Sequence, residues 1–290
     1  MSLFTKAVRQ KAKLRLALTG VSGSGKTLGA LYIAYGITGD WSKIAIIDTE
    51  HERSRFYANR SDLGTGEFWH VSMSAPFSPE KYKEYVAEGA ALVGSDGVVI
   101  VDSFSHAWAY EGGVLDIKDK VSEQAGKNSY TAWNEAGKEQ TSLVNNILSV
   151  SCHTIVTMRS KMSYAMEEND KGKKVPVKLG LAPIQRDDTE YEFDIVLDIS
   201  RNHTAIASKD KTFLDNFSEI VTPELGKQLR AWLDEGEEPP VCEHCKLLVK
   251  RTKNKTISDI VNGTKEKSGQ VLCVDCFRAW TEKNAQTVSE

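Results

Sequence analysis

The fold is decided by the stretch from Lys13 to Thr38, KLRLALTGVSGSGKTLGALYIAYGIT. An apolar run ends in a glycine-rich turn, and an apolar helix-forming segment starts directly after it. Within the turn, GVSGSGKT at 20–27 has the spacing Gly-x-x-x-x-Gly-Lys-Ser/Thr, with the strand before and the helix after that a phosphate loop needs. Glycines let a backbone wrap closely around phosphates, so the N–H groups of residues 23–27 would point inward at a helix N-terminus. Gly20, Ser22, Gly23, Ser24 and Gly25 are therefore expected around the phosphates of ATP. Lys26 should reach the β- and γ-phosphates, and the Thr27 hydroxyl should bind Mg2+. A chance glycine-rich turn is the competing explanation, and the flanking strand and helix argue against it.

Outward from that turn, short apolar runs alternate with helical patterns. KIAIIDT (43–49), GVVIVDS (97–103), HTIVTM (153–158) and FDIVLDIS (193–200) read as strands. SPEKYKEYVAEGAALVG (78–94) and SYTAWNEAGKEQTSLVNNILSV (129–150) read as helices. Nearly continuous apolar strands between helices predict an α/β fold with a mostly parallel central sheet covered on both faces. Past Ile199, HTAIASKDKTFLD (203–215) reads as a hairpin partner. TPELGKQLRAWLDEG (222–236) reads as a helix with Thr222 as N-cap, Pro223 first and Gly236 as its stop. The long polar segment at 160–188 is expected to be a mobile loop or a hairpin.

The composition sets bounds. The chain has 290 residues, 40% hydrophobic and 27% charged, with a formal net charge of -3. It therefore has no overall attraction for nucleic acid, and any such contact must come from local basic patches. No apolar run has the length of a membrane span, and the basic N-terminus lacks the apolar region of a signal peptide. A cytoplasmic protein with no membrane partner is the expectation.

Two acids stand at strand ends. Asp102 closes GVVIVDS, where its carboxylate can hold Mg2+ directly or through water. Glu50 follows KIAIIDT. In a parallel sheet the ligand crevice lies at the carboxyl ends of the strands, so Glu50 would face the γ-phosphate and deprotonate an attacking water. An exposed loop acid is the plainer alternative for Glu50.

The phosphate loop, IIDTEH at 46–51 and VVIVDS at 98–103 occur in an order and spacing that resembles the bacterial RecA-type ATPases, P-loop NTPases with a RecA-like core. The resemblance implies that Glu50 is the catalytic base. It implies that Tyr57, seven residues on, packs against adenine, although Ser54 stands where that family tends to carry aspartate. Lys209 and Lys211 in SKDKTF resemble the lysines that such subunits insert into a neighbour's ATP site; an exposed turn with two solvated lysines is the alternative. The family's usual γ-phosphate-sensing glutamine is missing from TMRSK at 157–161, which leaves that part to Thr157 or Arg159.

With TMRSKMSY (157–164) and RDDTEYEFDIVLDIS (186–200) included, the sequence is most similar to the phage Sak-type single-strand-annealing ATPases, over about residues 10–235. That similarity implies DNA-stimulated hydrolysis of ATP to ADP and phosphate, single-stranded DNA binding, and annealing or strand exchange in recombination. It also implies self-association into a ring or filament, and a phage-encoded protein in the bacterial host cytoplasm, with single-strand-binding or replication proteins as further partners. By the same analogy the DNA segments are SHAWAYEGGVLDIKDKV (105–121) and 160–186. The second carries Lys161, Tyr164, Lys171, Lys173, Lys174, Lys178 and Arg186, diluted by Glu167, Glu168 and Asp170. A solvated loop is the alternative there.

Near the C-terminus, CEHC (242–245) and CVDC (273–276) form two Cys-x-x-Cys pairs. Four thiolates at that spacing read as a tetrahedral Zn2+ site of Cys242, Cys245, Cys273 and Cys276. His244 is a weaker candidate, and a redox pair or unpaired thiols are the alternatives. A hairpin is expected between the pairs and a helix after the second. The basic run KRTKNK (250–255) is read either as a phosphate grip or as a solvated tip. Cys152 reads as a small core residue. The acidic, proline-rich DEGEEPP at 234–240 sets the expected division: residues 1–235 an ATPase domain, 236–241 a linker, 242–290 a zinc-finger domain. Two other functions stay open, a nucleotide-switched adaptor recruiting a partner through the zinc finger and a helicase-like motor.

Overall fold

The computed structural model describes residues 6–168, 174–245, 247–250 and 252–286. The apolar run before the phosphate loop is β1 (Arg15–Gly20), buried throughout. It is followed by α1 (Lys26–Thr38), β2 (Ile44–Asp48), β3 (Trp69–Ser72), α2 (Pro79–Val93) and β4 (Val98–Asp102). Next come α3 (His106–Ala109), α4 (Val114–Ser122), α5 (Ser129–Ser149), β5 (His153–Glu168) and β6 (Lys174–Pro183). Then follow β7 (Ile195–Ile199), β8 (Thr204–Lys209), β9 (Ser218–Ile220) and α6 (Pro223–Leu233). The C-terminal part holds α7 (Ile257–Ser268) and α8 (Val274–Gln286).

The strands form one sheet in the order β3-β2-β4-β5-β1-β7-β8-β9, with β6 paired to β5. From β3 to β7 every pairing is parallel; β8, β9 and β6 join antiparallel. Alternation along each strand supplies two cores. Leu16, Leu18, Val98 and Ile100 face the side of α1 and α6, while Ala17, Val99 and Val101 face the side of α2 and α5. Fully burying one such Leu, Ile or Val is worth about 1.5–3 kcal/mol. Cys152 lies buried in the second of these cores, as expected.

Local chemistry sets the helix ends. The Ser78 hydroxyl accepts from Lys81 N ahead of α2, with Pro79 first in the helix. Asn128 and Thr131 form a reciprocal capping box at α5. The end of α5 is tied to the sheet by Arg15, whose guanidinium donates to the carbonyls of Leu148, Val150 and Cys152. Helices α1 and α6 meet backbone to backbone, because a Cβ at Gly36 would lie 2.0 Å from Pro223 O.

Several elements differ from expectation. Of segment 160–188 the described residues take the hairpin, one of its two expected forms: β5 runs on past the sheet and pairs with β6 from Ser160↔Pro183 to Glu168↔Lys174. Segment 105–121 is largely helical, as α3 and α4, and the short edge strands β3 and β9 were not foreseen. Helix α6 stops at Leu233, before Gly236.

The chain divides into two compact units, one of Lys13–Leu233 and one of Asp234–Glu290 together with the segment up to Ala12. In the second, Arg9 pairs with Glu235 at 2.6 Å, Lys11 with Glu238 at 2.5 Å, and Gln10 bridges Glu237. The basic N-terminal segment, placed by the sequence with the ATPase domain, thus groups with the acidic stretch after α6. Between the cysteine pairs stands α7 rather than a hairpin, because Thr256 and Asp259 form a capping box at its start and Gly269 caps its end with a positive φ of 74°. The second unit buries Cys242, Val249, Ile260 and Leu272. No helix among the described residues is long and apolar enough to cross a membrane.

Candidate nucleotide site and cysteine cluster

The ends of β1, β2 and β4 and the middle of β5 converge on the loop at 20–27. Lys26 is only 7% exposed, and its Nζ donates to Gly20 O and Val21 O, each at 2.9 Å. Burial lowers its pKa, opposed by the nearby carboxylates of Asp102 and Glu50. Ser24 Oγ is buried without a partner. Such an orphan hydroxyl, in a glycine-rich loop that opens a helix, fits a loop shaped for an anion's oxygens. The turn between β7 and β8 braces the loop: His203 Nδ1 lies 2.9 Å from Ser24 O. Gly25 has φ 93°, and a Cβ there would come within 3.0 Å of the same nitrogen.

Asp102 is held by two hydroxyls. Thr27 Oγ1 donates to its Oδ2 at 2.6 Å and Thr157 Oγ1 to its Oδ1 at 2.5 Å. Burial is the main influence and pushes its pKa up to about 6 against those hydrogen bonds, with Glu50 and Asp48 adding like-charge pressure. A buried carboxylate beside a loop hydroxyl is an oxygen donor pair that suits Mg2+.

Glu50 emerges from β2 on a turn built around buried Asp48. Asp48 Oδ1 accepts from Glu50 N at 2.6 Å, and its Oδ2 accepts from Ser54 N at 2.9 Å and Ser54 Oγ at 2.5 Å. Ser54 therefore anchors the turn. The Glu50 side chain is 18% exposed, and its Oε1 accepts from Arg159 Nε at 2.7 Å. Arg159 also donates through Nη1 to Tyr110 Oη at 2.8 Å. Burial would raise the Glu50 pKa, but Arg159, with help from His106 and Lys26, outweighs it and holds the carboxyl below its ordinary range.

These groups enclose a cavity of about 250 Å³ lined by Ser22, Gly23, Gly25, Lys26, Thr27, Glu50, Tyr57, Asp102 and Arg159, joined by Arg53 and Phe56. The last two were not singled out by the sequence, although they lie in the same 3-10 turn as Tyr57. Phe56 is 71% exposed at this cavity, whereas Tyr57 packs partly against the core. Lys209 and Lys211 lie outside it. Lys209 Nζ donates to Tyr191 O and sits 5.8 Å from that ring's centre, and Lys211 Nζ is 2.9 Å from Asp194 Oδ1.

In the second unit the sulfurs of Cys242, Cys245, Cys273 and Cys276 lie within 4.8 Å of one another. Crowded thiols do not ionise alike. Burial would raise the Cys242 pKa, yet backbone N–H groups at Cys245, Cys273 and His244 bring it down to about 6. Its sulfur neighbours, Cys273 foremost, push Cys276 up to about 12. A donor set of four soft sulfurs at this separation fits one tetrahedral Zn2+. His244 Nδ1 approaches Cys276 Sγ at 3.6 Å and stands outside the four-sulfur set. Among the basic residues expected to touch DNA, Lys171 and Lys173 lie outside the described residues, as does Arg251 of the 250–255 run.

Compared with known protein families, residues 12–232 match the one described as AAA domain, well over half of the chain. No curated protein matches the sequence.

Proposed function

The chain belongs to the AAA-domain family of nucleotide-dependent ATPases, and on that premise we propose that it couples ATP hydrolysis to single-stranded DNA binding in recombination, by annealing or strand exchange. The observation that carries the reading is the Glu50–Arg159 pair at 2.7 Å beside the phosphate loop. A carboxylate and a guanidinium that face one cavity support the reading, since the first can take a proton from water and the second can sense phosphate.

The residues divide the work. The loop N–H groups and Lys26 bind the β- and γ-phosphates, Lys26 exchanging its two loop carbonyls for phosphate oxygens. Thr27 and Asp102 would hold Mg2+, which when bound neutralises phosphate charge. Glu50 takes a proton from water as the water oxygen bonds to the γ-phosphorus and the bond to the β-phosphate oxygen breaks, leaving ADP. Arg159 restrains that base until a γ-phosphate draws the guanidinium away. Phe56 and Tyr57 offer faces for the adenine. Lys209 and Lys211, tethered within their own chain, would reach a neighbour's phosphates when subunits stack into a ring or filament, adding positive charge as the transition state forms. The cysteine cluster would hold Zn2+ as a structural ion in a module that docks replication or single-strand-binding proteins.

The test is ATP turnover with and without a single-stranded oligonucleotide. A rate raised severalfold by DNA supports the reading. An unchanged rate together with no DNA binding in any nucleotide state overturns it and leaves the nucleotide-switched adaptor.

A further inference from the structure

Arg53 lines the nucleotide cavity, yet none of the chemistry above falls to it. It opens the 3-10 turn Arg53–Tyr57, which follows two residues of positive φ, His51 at 60° and Glu52 at 62°. Residues other than glycine keep that conformation only where the surroundings fix it. Asp48 fixes it from both ends, accepting from Glu50 N on one side and from Ser54 N and Oγ on the other. Side chains three apart in a 3-10 helix stand one above the other, so Arg53 and Phe56 share a face. Arg53 is exposed and, among the described residues, has neither a hydrogen-bond nor an ion-pair partner. Its neighbour Arg55 is held instead, with Nε donating to His70 Nδ1 at 3.2 Å and Nη2 3.6 Å from Glu52 Oε1.

What a base edge meets on this turn depends on which acceptors are already taken. Ser54 is 1% exposed and gives both its N–H and its hydroxyl to Asp48. The carbonyls of Glu52, Arg55, Phe56 and Tyr57 accept from Arg55 N, Ala58 N, Arg60 Nη1 and Thr65 Oγ1 in turn. Among the described residues the cavity is lined by no Asn or Gln. Its two acids are engaged, Glu50 by Arg159 and Asp102 by the Thr27 and Thr157 hydroxyls. The Tyr57 hydroxyl can donate or accept, and so favours no base. The free polar group beside the Phe56 ring is then the Arg53 guanidinium, which carries donors only.

Purines differ in what they offer such a fork. Guanine presents O6 and N7 side by side, two acceptors that a guanidinium meets with two hydrogen bonds. Adenine presents N7 beside its N6 amino group, so one N–H of the fork would face another donor. The exposed Phe56 ring stacks on either base and separates them weakly, because every base has a π-face. We propose that this cavity takes guanine nucleotides as well as ATP, with Phe56 stacked on the purine and Arg53 bonded to O6 and N7 of guanine. The proposal rests on the reading of the cavity as a site of nucleoside triphosphate hydrolysis, and it adds GTP as a substrate of that same site. The reaction is unchanged: the water oxygen bonds to the γ-phosphorus, its proton passes to Glu50, the bond to the β-phosphate oxygen breaks, and GDP and phosphate leave.

The experiment is steady-state phosphate release by the full-length protein with Mg2+ and ATP, GTP or 7-deaza-GTP, which lacks the N7 acceptor. GTP is expected to reach at least about a tenth of the kcat/KM of ATP. Arg53→Ala should lower kcat/KM for GTP about tenfold and leave ATP nearly unchanged. The loss should fall in KM rather than kcat, since the contact is made equally before and during the reaction. The parent should use 7-deaza-GTP less well than GTP, and the variant should treat the two alike. If Arg53→Ala misfolds, as judged by circular dichroism, the comparison of GTP with 7-deaza-GTP on the parent decides. A parent that hydrolyses ATP but falls short of that mark with GTP overturns the proposal and leaves the ATPase reading standing. So does a folded variant that loses ATP and GTP in equal measure, because Arg53 then grips phosphate. A parent that hydrolyses neither nucleotide overturns both, and that outcome is distinct from the others.

Discussion

The two compact units are stable for different reasons. The Lys13–Leu233 unit carries apolar clusters on both faces of its sheet, with strands such as β1, β2 and β4 buried from end to end. Among its described residues the smaller unit buries four apolar ones, of which Cys242 is itself a thiol of the four-sulfur cluster. Where apolar area is abundant, no single contact is indispensable. Where it is scarce, one ion held by four sulfurs would take the place of a core.

Removing metal should give the largest effect. Structural Zn2+ contributes about 10–16 kcal/mol in small finger modules. A strong chelator should therefore abolish amide-exchange protection in α7 and α8 while ATP binding persists; helices that stay protected would erase the contrast between the units. Next, Glu50→Gln should retain ATP and lose roughly 10²–10⁴-fold in turnover, measured by phosphate release. Parental turnover would mean another group is the base. Smaller again, Ile100→Ala should cost the larger unit about 2–5 kcal/mol in denaturant unfolding, with protection of α7 unchanged.

Smallest at neutral pH, and growing only as acid is added, is the effect of two buried histidines. Burial, reinforced by Lys13, Arg230 and Arg15 and opposed by Asp96, pushes His153 down to about 3 from its ordinary 6.5. His106 is pushed down to about 4, by burial first and then by Arg159. Each ring takes its proton in the unfolded chain well before it does in the folded one. Their stabilisation is therefore complete above pH 6.5 and is lost as pH falls toward their folded values, by at most about 1.4 kcal/mol per unit for each group. Unfolding titrations of His153→Gln should show a shallower acid limb. The smaller unit should also fail in acid, but for another reason, because protons compete with the metal for sulfur.

The features legible in the sequence were those fixed by local pattern. The phosphate loop, the buried strands, Asp102 and the paired cysteines each announce themselves within a few residues. Edge strands β3 and β9 are short and partly exposed, so their apolar signal is weak. Helix α7 is polar over most of its surface, a pattern that a hairpin fits as well; its capping box, Thr256 with Asp259, is the available clue. The Glu50–Arg159 pair spans 109 positions, and no local rule brings such residues together. The Trp108–Trp133 pair depends likewise on how α3 is set against α5.

Strand β5 also borders a second groove, of about 810 Å³, beside α5. Arg159 lines the phosphate cavity, and Lys161, two positions further on the same pleated face, lines the groove. The two chambers thus share one face of one strand, along which neighbouring side chains are spaced by roughly 7 Å. A molecule that shifted β5 along its own axis in one chamber would carry a lining residue of the other with it. Such coupling would require no hinge and no messenger helix, only a shared strand.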